Sequence, residues 1–151
     1  MKSEPNVFSI DDLKRDGPEG WDGVRNYQAR NYMREMKKGD LVLFYHSNAK
    51  PSGVAGVARI SGEARPDPTQ FDPKSKYFDG KSKKEEPRWS LVDVEFVEKF
   101  AETLDLKLMK ADPKLHGMYV TRKGMRFSVT PVEKPHFKHV LKLSKAKTKV
   151  R

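Results

Sequence analysis

Trp21-Asp22-Gly23-Val24-Arg25-Asn26-Tyr27-Gln28-Ala29-Arg30-Asn31 is the stretch around which this chain is organised. It gathers two aromatics, two arginines, two asparagines and a glutamine into eleven residues. That is too polar for a core element and too aromatic for an ordinary solvated loop. Asn26 has the side-chain oxygen of an N-cap, so a helix is predicted from Tyr27 onward. On that helix Ala29, Tyr32, Met33 and Met36 recur at i, i+3, i+4 and i+7, the spacing of a buried stripe. Tyr27, Asn31 and Arg34 fall on the other side, with Arg30 at its edge. Amides read base edges through paired donors and acceptors, and guanidinium forks grip phosphate or stack on rings. Trp21-Asp22-Gly23 reads as a turn, with Gly23 supplying a backbone shape that other residues resist. The alternative is that Trp21 and Tyr27 are core aromatics and the polar face is merely wet.

A second cluster, Tyr45-His46-Ser47-Asn48, closes the next predicted strand, residues 41–45. That strand is apolar on both faces and therefore expected to be central. Together the two clusters read as the lip and floor of a binding pocket. Ser9 with Asp12 three residues on has capping-box spacing, opening a short helix over 10–15 that Gly17-Pro18 stops. Residues 53–60 form a second strand whose glycines admit a close approach of backbone or ligand. A long irregular stretch, 63–88, carries four prolines and a charged run at 81–86; a loop of that length is functional or disordered. Strands are further predicted at 91–97 and 125–129. Helices are predicted at 104–110, capped by Thr103, at Asp112-Pro113, and from Pro135 with Phe137, Val140 and Leu141 buried. The count, four or five strands and four short helices, argues for an α+β domain built as a small, partly closed, largely antiparallel barrel with helices outside.

The chain has 151 residues, which suits one domain. No apolar run approaches the ~20 residues that span a bilayer. No signal-peptide start is seen either, so a soluble intracellular protein is expected, cytoplasmic in a bacterium or nuclear in a eukaryote. With no cysteine, disulfides, thiolate metal sites and a Cys nucleophile are excluded. The net charge is +10 and the pI about 9.7, favouring a polyanionic partner. Lys145, Lys147, Lys149 and Arg151 concentrate four of those charges in residues 144–151, expected to be a disordered basic tail.

Lys2-Ser3-Glu4-Pro5, the Trp21–Asn31 stretch, Phe44-Tyr45-His46-Ser47-Asn48, Pro66-Asp67-Pro68-Thr69-Gln70-Phe71-Asp72 and Pro87-Arg88-Trp89 closely resemble the EVE domain. The resemblance runs from residue 1 to about 143 in order and spacing. It implies a PUA-like barrel, related to the YTH, ASCH and SRA modules, and recognition of a modified base in DNA or RNA by an aromatic-walled pocket. Carried over by position, it points to Lys2, Ser3, Glu4, Trp21, Tyr27, Gln28, Asn31, Tyr45, His46, Ser47, Asn48, Asp72 and Trp89 as ligand-binding residues. Arg25, Arg30, Arg34, Arg88, Lys145 and Lys147 are expected on the nucleic-acid backbone. No catalytic residue, cofactor or metal is expected. One departure stands out: family members carry apolar residues before Lys-Ser-Glu-Pro that form a first strand, and here Met1 sits at that junction. Either the start lies upstream, or that strand is missing or replaced, which would leave the Ser3-Glu4 wall loose and a strand edge open.

Two other classes compete. A metal-independent nuclease of the ASCH type would use His46 beside Ser47, with Lys2 and Glu4 near, for acid–base work. No Ser/His/Asp spacing, Gly-rich phosphate cradle or metal-ligand cluster supports it. His136 and His139, three apart on the last helix, are expected to face solvent rather than a metal. A protein-interaction module with a vestigial pocket is the third reading.

Overall fold

The computed structural model describes residues 1–150 and has one five-stranded sheet with four helices. The strands are β1 (Lys2–Ser3), β2 (Glu19–Gly20), β3 (Leu41–His46), β4 (Gly53–Pro66) and β5 (Ser90–Asp105). Their order across the sheet is β1-β3-β4-β5-β2; only β1 pairs in parallel. The two outer strands have two residues each and do not meet, so the sheet is open and the expected barrel is corrected. What curvature exists comes from β4 and β5, whose pairing shifts register four times along their length.

Period-two alternation on β3 explains the layering. Val42 and Phe44 enter one core while Leu43 and Tyr45 enter the other. The first core lies under α1 (Ile10–Asp16) and α2 (Tyr27–Glu35), which contribute Ile10, Leu13, Ala29 and Met33. The second is closed by α3 (Leu106–Ala111) and α4 (Lys134–Leu143), through Met109, Phe137, Val140 and Leu141. Gly53 and Gly56 do admit a close approach, and it is that of β5: a side chain there would collide with the Leu104 and Glu98 carbonyl oxygens.

Two predicted elements are corrected. The polar residues Glu98, Lys99 and Glu102 hide a strand that continues to Asp105. Leu104 pairs with Val54 inside it, so Thr103 caps no helix; Asp105 caps α3 instead, accepting from the Lys107 amide at 2.8 Å. Residues 125–129 form no strand. Val129 is buried in the first core, and the Ser128 carbonyl accepts from the Lys2 amide at 2.8 Å.

The Ser3-Glu4 wall is tied down rather than loose. Tyr45 donates to Met1, Ser47 donates to Ser3, and the Ser3 hydroxyl donates to the Phe8 carbonyl at 2.6 Å. The basic stretch after Leu143, expected to be disordered, meets β5 at Glu98. The Lys147 and Thr148 amides and the Thr148 hydroxyl all donate to the Glu98 carboxylate. These bonds hold that carboxyl below its usual range against the opposing effect of its burial. Arg151, the last residue of the tail, lies outside the described residues.

Candidate nucleic-acid interface

Trp21 hangs from β2 at the edge of the sheet. Its amide donates to the Val92 carbonyl at 2.8 Å, and its indole meets Phe44 edge-on with centroids 5.6 Å apart and Phe8 at 6.4 Å. The residue is only half-buried, because the far side of the ring faces a cavity of about 530 Å³. Lys2, Ser3, Glu4 and Ser128 form one side of that cavity, Glu19 to Val24 another, and Lys76 and Tyr77 close it. A volume of this size falls in the ~300–1,000 Å³ range of small-ligand sites.

Tyr77 reaches this position through Gly23 and Asp67. Gly23 has φ of +78°, and a Cβ there would lie 2.6 Å from the Tyr77 ring. Asp67 is fully buried and accepts from the Gly23 amide, from Arg25, and from both the amide and the hydroxyl of Thr69. Burial alone would push this carboxyl up, but the bonds from Thr69, Gly23 and Arg25 outweigh it and hold it below the usual carboxylate range. Arg25 has all five N–H donors engaged, on Val24, Asp67, Thr69 and twice on the Tyr77 carbonyl. Gln70, also fully buried, accepts from Ser82 and the Trp89 amide and donates to the Asp67 and Trp89 carbonyls. The long loop is therefore clamped to the Trp21 turn.

The expected site residues divide into three groups. Lys2, Ser3, Glu4 and Trp21 border the cavity. Tyr45, His46, Ser47 and Asn48 lie behind it. Tyr45 is buried in the second core, and the Ser47 amide pairs with β1. His46 accepts the first helical amide of α1, from Ile10, on Nε2 at 3.1 Å, and burial holds its pKa below the usual value. Asn48, at φ 49°, donates to Glu4 Oε1 at 2.7 Å and so acts through Glu4. The third group is away from the cavity. Trp89 is buried, stacked on exposed Tyr27 at 4.7 Å, with its indole N–H on Asp79. Gln28 and Asn31 sit on the exposed face of α2, and Asp72 caps Lys74.

Three of the arginines expected on phosphate make hydrogen bonds within the protein. Arg25 is saturated, Arg30 bonds the Arg88 carbonyl and Asn31, and Arg34 bonds Ser90 and the Pro87 and Arg88 carbonyls. These bonds fasten the loop to α2 and to the turn before it. Arg88 stands 3.8 Å from Asp79. Phe8, Asp22, Lys76, Tyr77 and Ser128 also border the cavity and were not expected there; the one available signal was Gly23, whose missing side chain makes room for a ring. His139 does not face solvent: its Nε2 is 2.7 Å from Asp112, whose carboxyl this contact holds below its usual range. Among the described residues no group of three or more His, Cys, Asp or Glu could hold a metal, and no helix is long and apolar enough to cross a membrane.

An open mixed sheet with helices on both faces, and a cavity bordered by aromatic residues at its edge, define an α+β domain. The chain belongs to the EVE domain family, whose model matches residues 1–143. It is 42% identical to chicken (Gallus gallus) thymocyte nuclear protein 1, over 97% of this chain and 68% of that protein. The human protein of the same name is 40% identical, over 95% of this chain and 72% of that protein. Among solved structures, a Pseudomonas syringae protein superposes with a TM-score of 0.92 at 46% identity, covering 95% of this chain and 97% of that one. Human THYN1 in complex with DNA containing 5-methylcytosine superposes with a TM-score of 0.89 at 40% identity, covering 98% and 97%.

Proposed function

We propose that this protein reads a modified base, such as a methylated one, in DNA or RNA, by taking it into the cavity beside Trp21. The observation that carries the reading is an indole half-exposed in a cavity of about 530 Å³, roomy enough to admit a nucleobase, in a chain that superposes over nearly its whole length on a relative bound to methylated DNA. Extruding a base from a duplex costs a few kcal/mol, and stacking on a ring returns roughly 1–3 kcal/mol. A methyl group buried against Phe8 and Tyr77 adds about 0.8 kcal/mol. Trp21 and Tyr77 are the stacking walls, and Ser3, Glu4 and Ser128 face the base edge. Tyr27, Gln28 and Asn31 on α2 are available to flanking nucleotides. Phosphate contact falls to exposed lysines rather than to the arginines, among them Lys145 and Lys147.

The protein acts by binding and not by catalysis. His46, the centre of the acid–base group considered with Ser47, Lys2 and Glu4, has its acceptor nitrogen on the Ile10 amide, and its role is to cap α1. The test is titration of matched oligonucleotides with and without 5-methylcytosine. Trp21→Ala is expected to abolish the difference between them, whereas Lys145→Ala with Lys147→Ala weakens both equally. Equal losses for both oligonucleotides in the Trp21 variant would overturn the reading.

A further inference from the structure

The cavity is acidic in a chain whose net charge is +10: its border carries the carboxylates of Glu4, Glu19 and Asp22 against the ammonium groups of Lys2 and Lys76. One of those lysines is engaged internally, since Lys2 Nζ donates to the Met125 carbonyl at 3.3 Å. The three carboxylates stand exposed at the rim of the cavity. Glu4 is oriented by Asn48 through one oxygen, which leaves the other free, and Asp22 follows directly on the stacking residue Trp21. Partial desolvation, and then the neighbouring Asp67, hold the Asp22 carboxyl above its usual range, while Arg25 and Lys76 oppose them. The border offers hydrogen-bond acceptors to whatever sits against Trp21.

This bears on a problem that stacking cannot solve. 5-Methylcytosine and thymine share ring size, methyl group and glycosidic nitrogen, so an aromatic slot that buries the methyl holds both alike. They differ along the pairing edge. 5-Methylcytosine has an amino group at C4 with two N–H donors, whereas thymine has an oxygen there and a single N–H set between two carbonyl oxygens. A carboxylate facing the C4 substituent accepts from the first and is repelled by the second. A site built around such a polar group rejects the analogue that leaves it unpaired far more strongly than an apolar slot rejects a missing methyl.

Resting on the reading of the cavity as a base slot, we propose that its acidic border restricts the ligand to bases bearing an exocyclic amino group and excludes thymine and uracil, with Asp22 as the specificity-determining acceptor and Glu4 as its partner across the slot. Methyl recognition by the rings and amino recognition by the carboxylates together separate 5-methylcytosine from both cytosine and thymine.

The test uses single-stranded oligonucleotides, so that base-pair opening does not enter, with one central position carrying 5-methylcytosine, cytosine or thymine. The protein is expected to prefer 5-methylcytosine over thymine by about tenfold or more, the scale set by a well-placed base-edge contact. Asp22→Asn, whose amide can donate to the thymine oxygen, is expected to bring that ratio to within about threefold while leaving the preference over cytosine in place. Asp22→Ala controls for mere loss of the residue: it should weaken 5-methylcytosine binding without a gain for thymine. If the intact protein binds thymine as well as 5-methylcytosine, yet prefers both to cytosine through Trp21, the acidic-border proposal fails and the base slot stands. If all three oligonucleotides bind alike and Trp21→Ala changes nothing, the slot itself fails. If Glu4→Gln relaxes the ratio and Asp22→Asn does not, the assignment to Asp22 is wrong.

Discussion

Asp67 receives four hydrogen bonds inside the protein, and they join the Trp21 turn to the loop that supplies Tyr77. Removing it leaves the half-buried Arg25 guanidinium without its counter-charge and frees two backbone amides. Breaking a buried pair from one side costs about 3–5 kcal/mol. Asp67→Ala is therefore expected to lower the denaturation midpoint severely, measured by urea unfolding. Gly23→Ala is milder and more local. The left-handed backbone adds about 1–2 kcal/mol for a residue with a Cβ. Its new methyl meets the Tyr77 ring at 2.6 Å, so the ring must move. A melting temperature lower by several degrees is expected together with weaker oligonucleotide binding. Binding unchanged in a folded Gly23→Ala protein would mean that Tyr77 is no wall of the site.

At the scale of elements, α2 was legible in full: Asn26 caps it by accepting from the Ala29 amide at 2.9 Å, and Ala29 and Met33 are buried. So were the Ser9–Asp12 capping box and the Phe137, Val140 and Leu141 stripe of α4. Local signals of cap and period suffice there. They fail where pairing with a remote strand decides. The far half of β5 has no clean alternation, because its bulges break the period, so Thr103 looked like a cap although Leu104 pairs with Val54. The internal bonds of the arginines were hidden for a related reason. A guanidinium that grips phosphate and one that ties down carbonyls have the same sequence, and only the loop's path shows which carbonyls lie in reach. The same long-range logic applies to residues 144–150. Glu98 holds the Lys147 and Thr148 amides, so Glu98→Ala should speed hydrogen exchange at those two positions and leave α4 protected. Exchange there that is fast already in the unsubstituted protein would show the segment to be free.

At the scale of the whole molecule, charge and the chain's first residue set the response to conditions. Each phosphate neutralised by a cation contributes about 0.7–0.9 to the slope of log K against log salt, so Lys145→Ala with Lys147→Ala should flatten that slope by one to two units if both contact the backbone. In a protein prepared with a free Met1 amine, that amine donates to the Leu43 carbonyl at 2.9 Å, and burial, then Lys2, lower its pKa from about 8 to about 5. The folded protein thus binds fewer protons than the unfolded chain between pH 5 and 8, and stability falls as pH drops through that window. His46, also held below its usual pKa, acts in the same direction. N-terminal acetylation isolates the Met1 contribution, since the amide that replaces the amine carries no charge. The acetylated protein should show a shallower fall in melting temperature from pH 8 to 5, and an unchanged fall would assign the effect elsewhere.

The clasp at Asp67 has a kinetic corollary. Because the turn and the loop are locked together before any ligand arrives, the receptor has little left to rearrange, and ordering costs fall on the nucleic acid alone. Stopped-flow mixing with single-stranded DNA should then give one exponential phase whose rate rises linearly with DNA concentration, with no plateau that would betray a slow closing step.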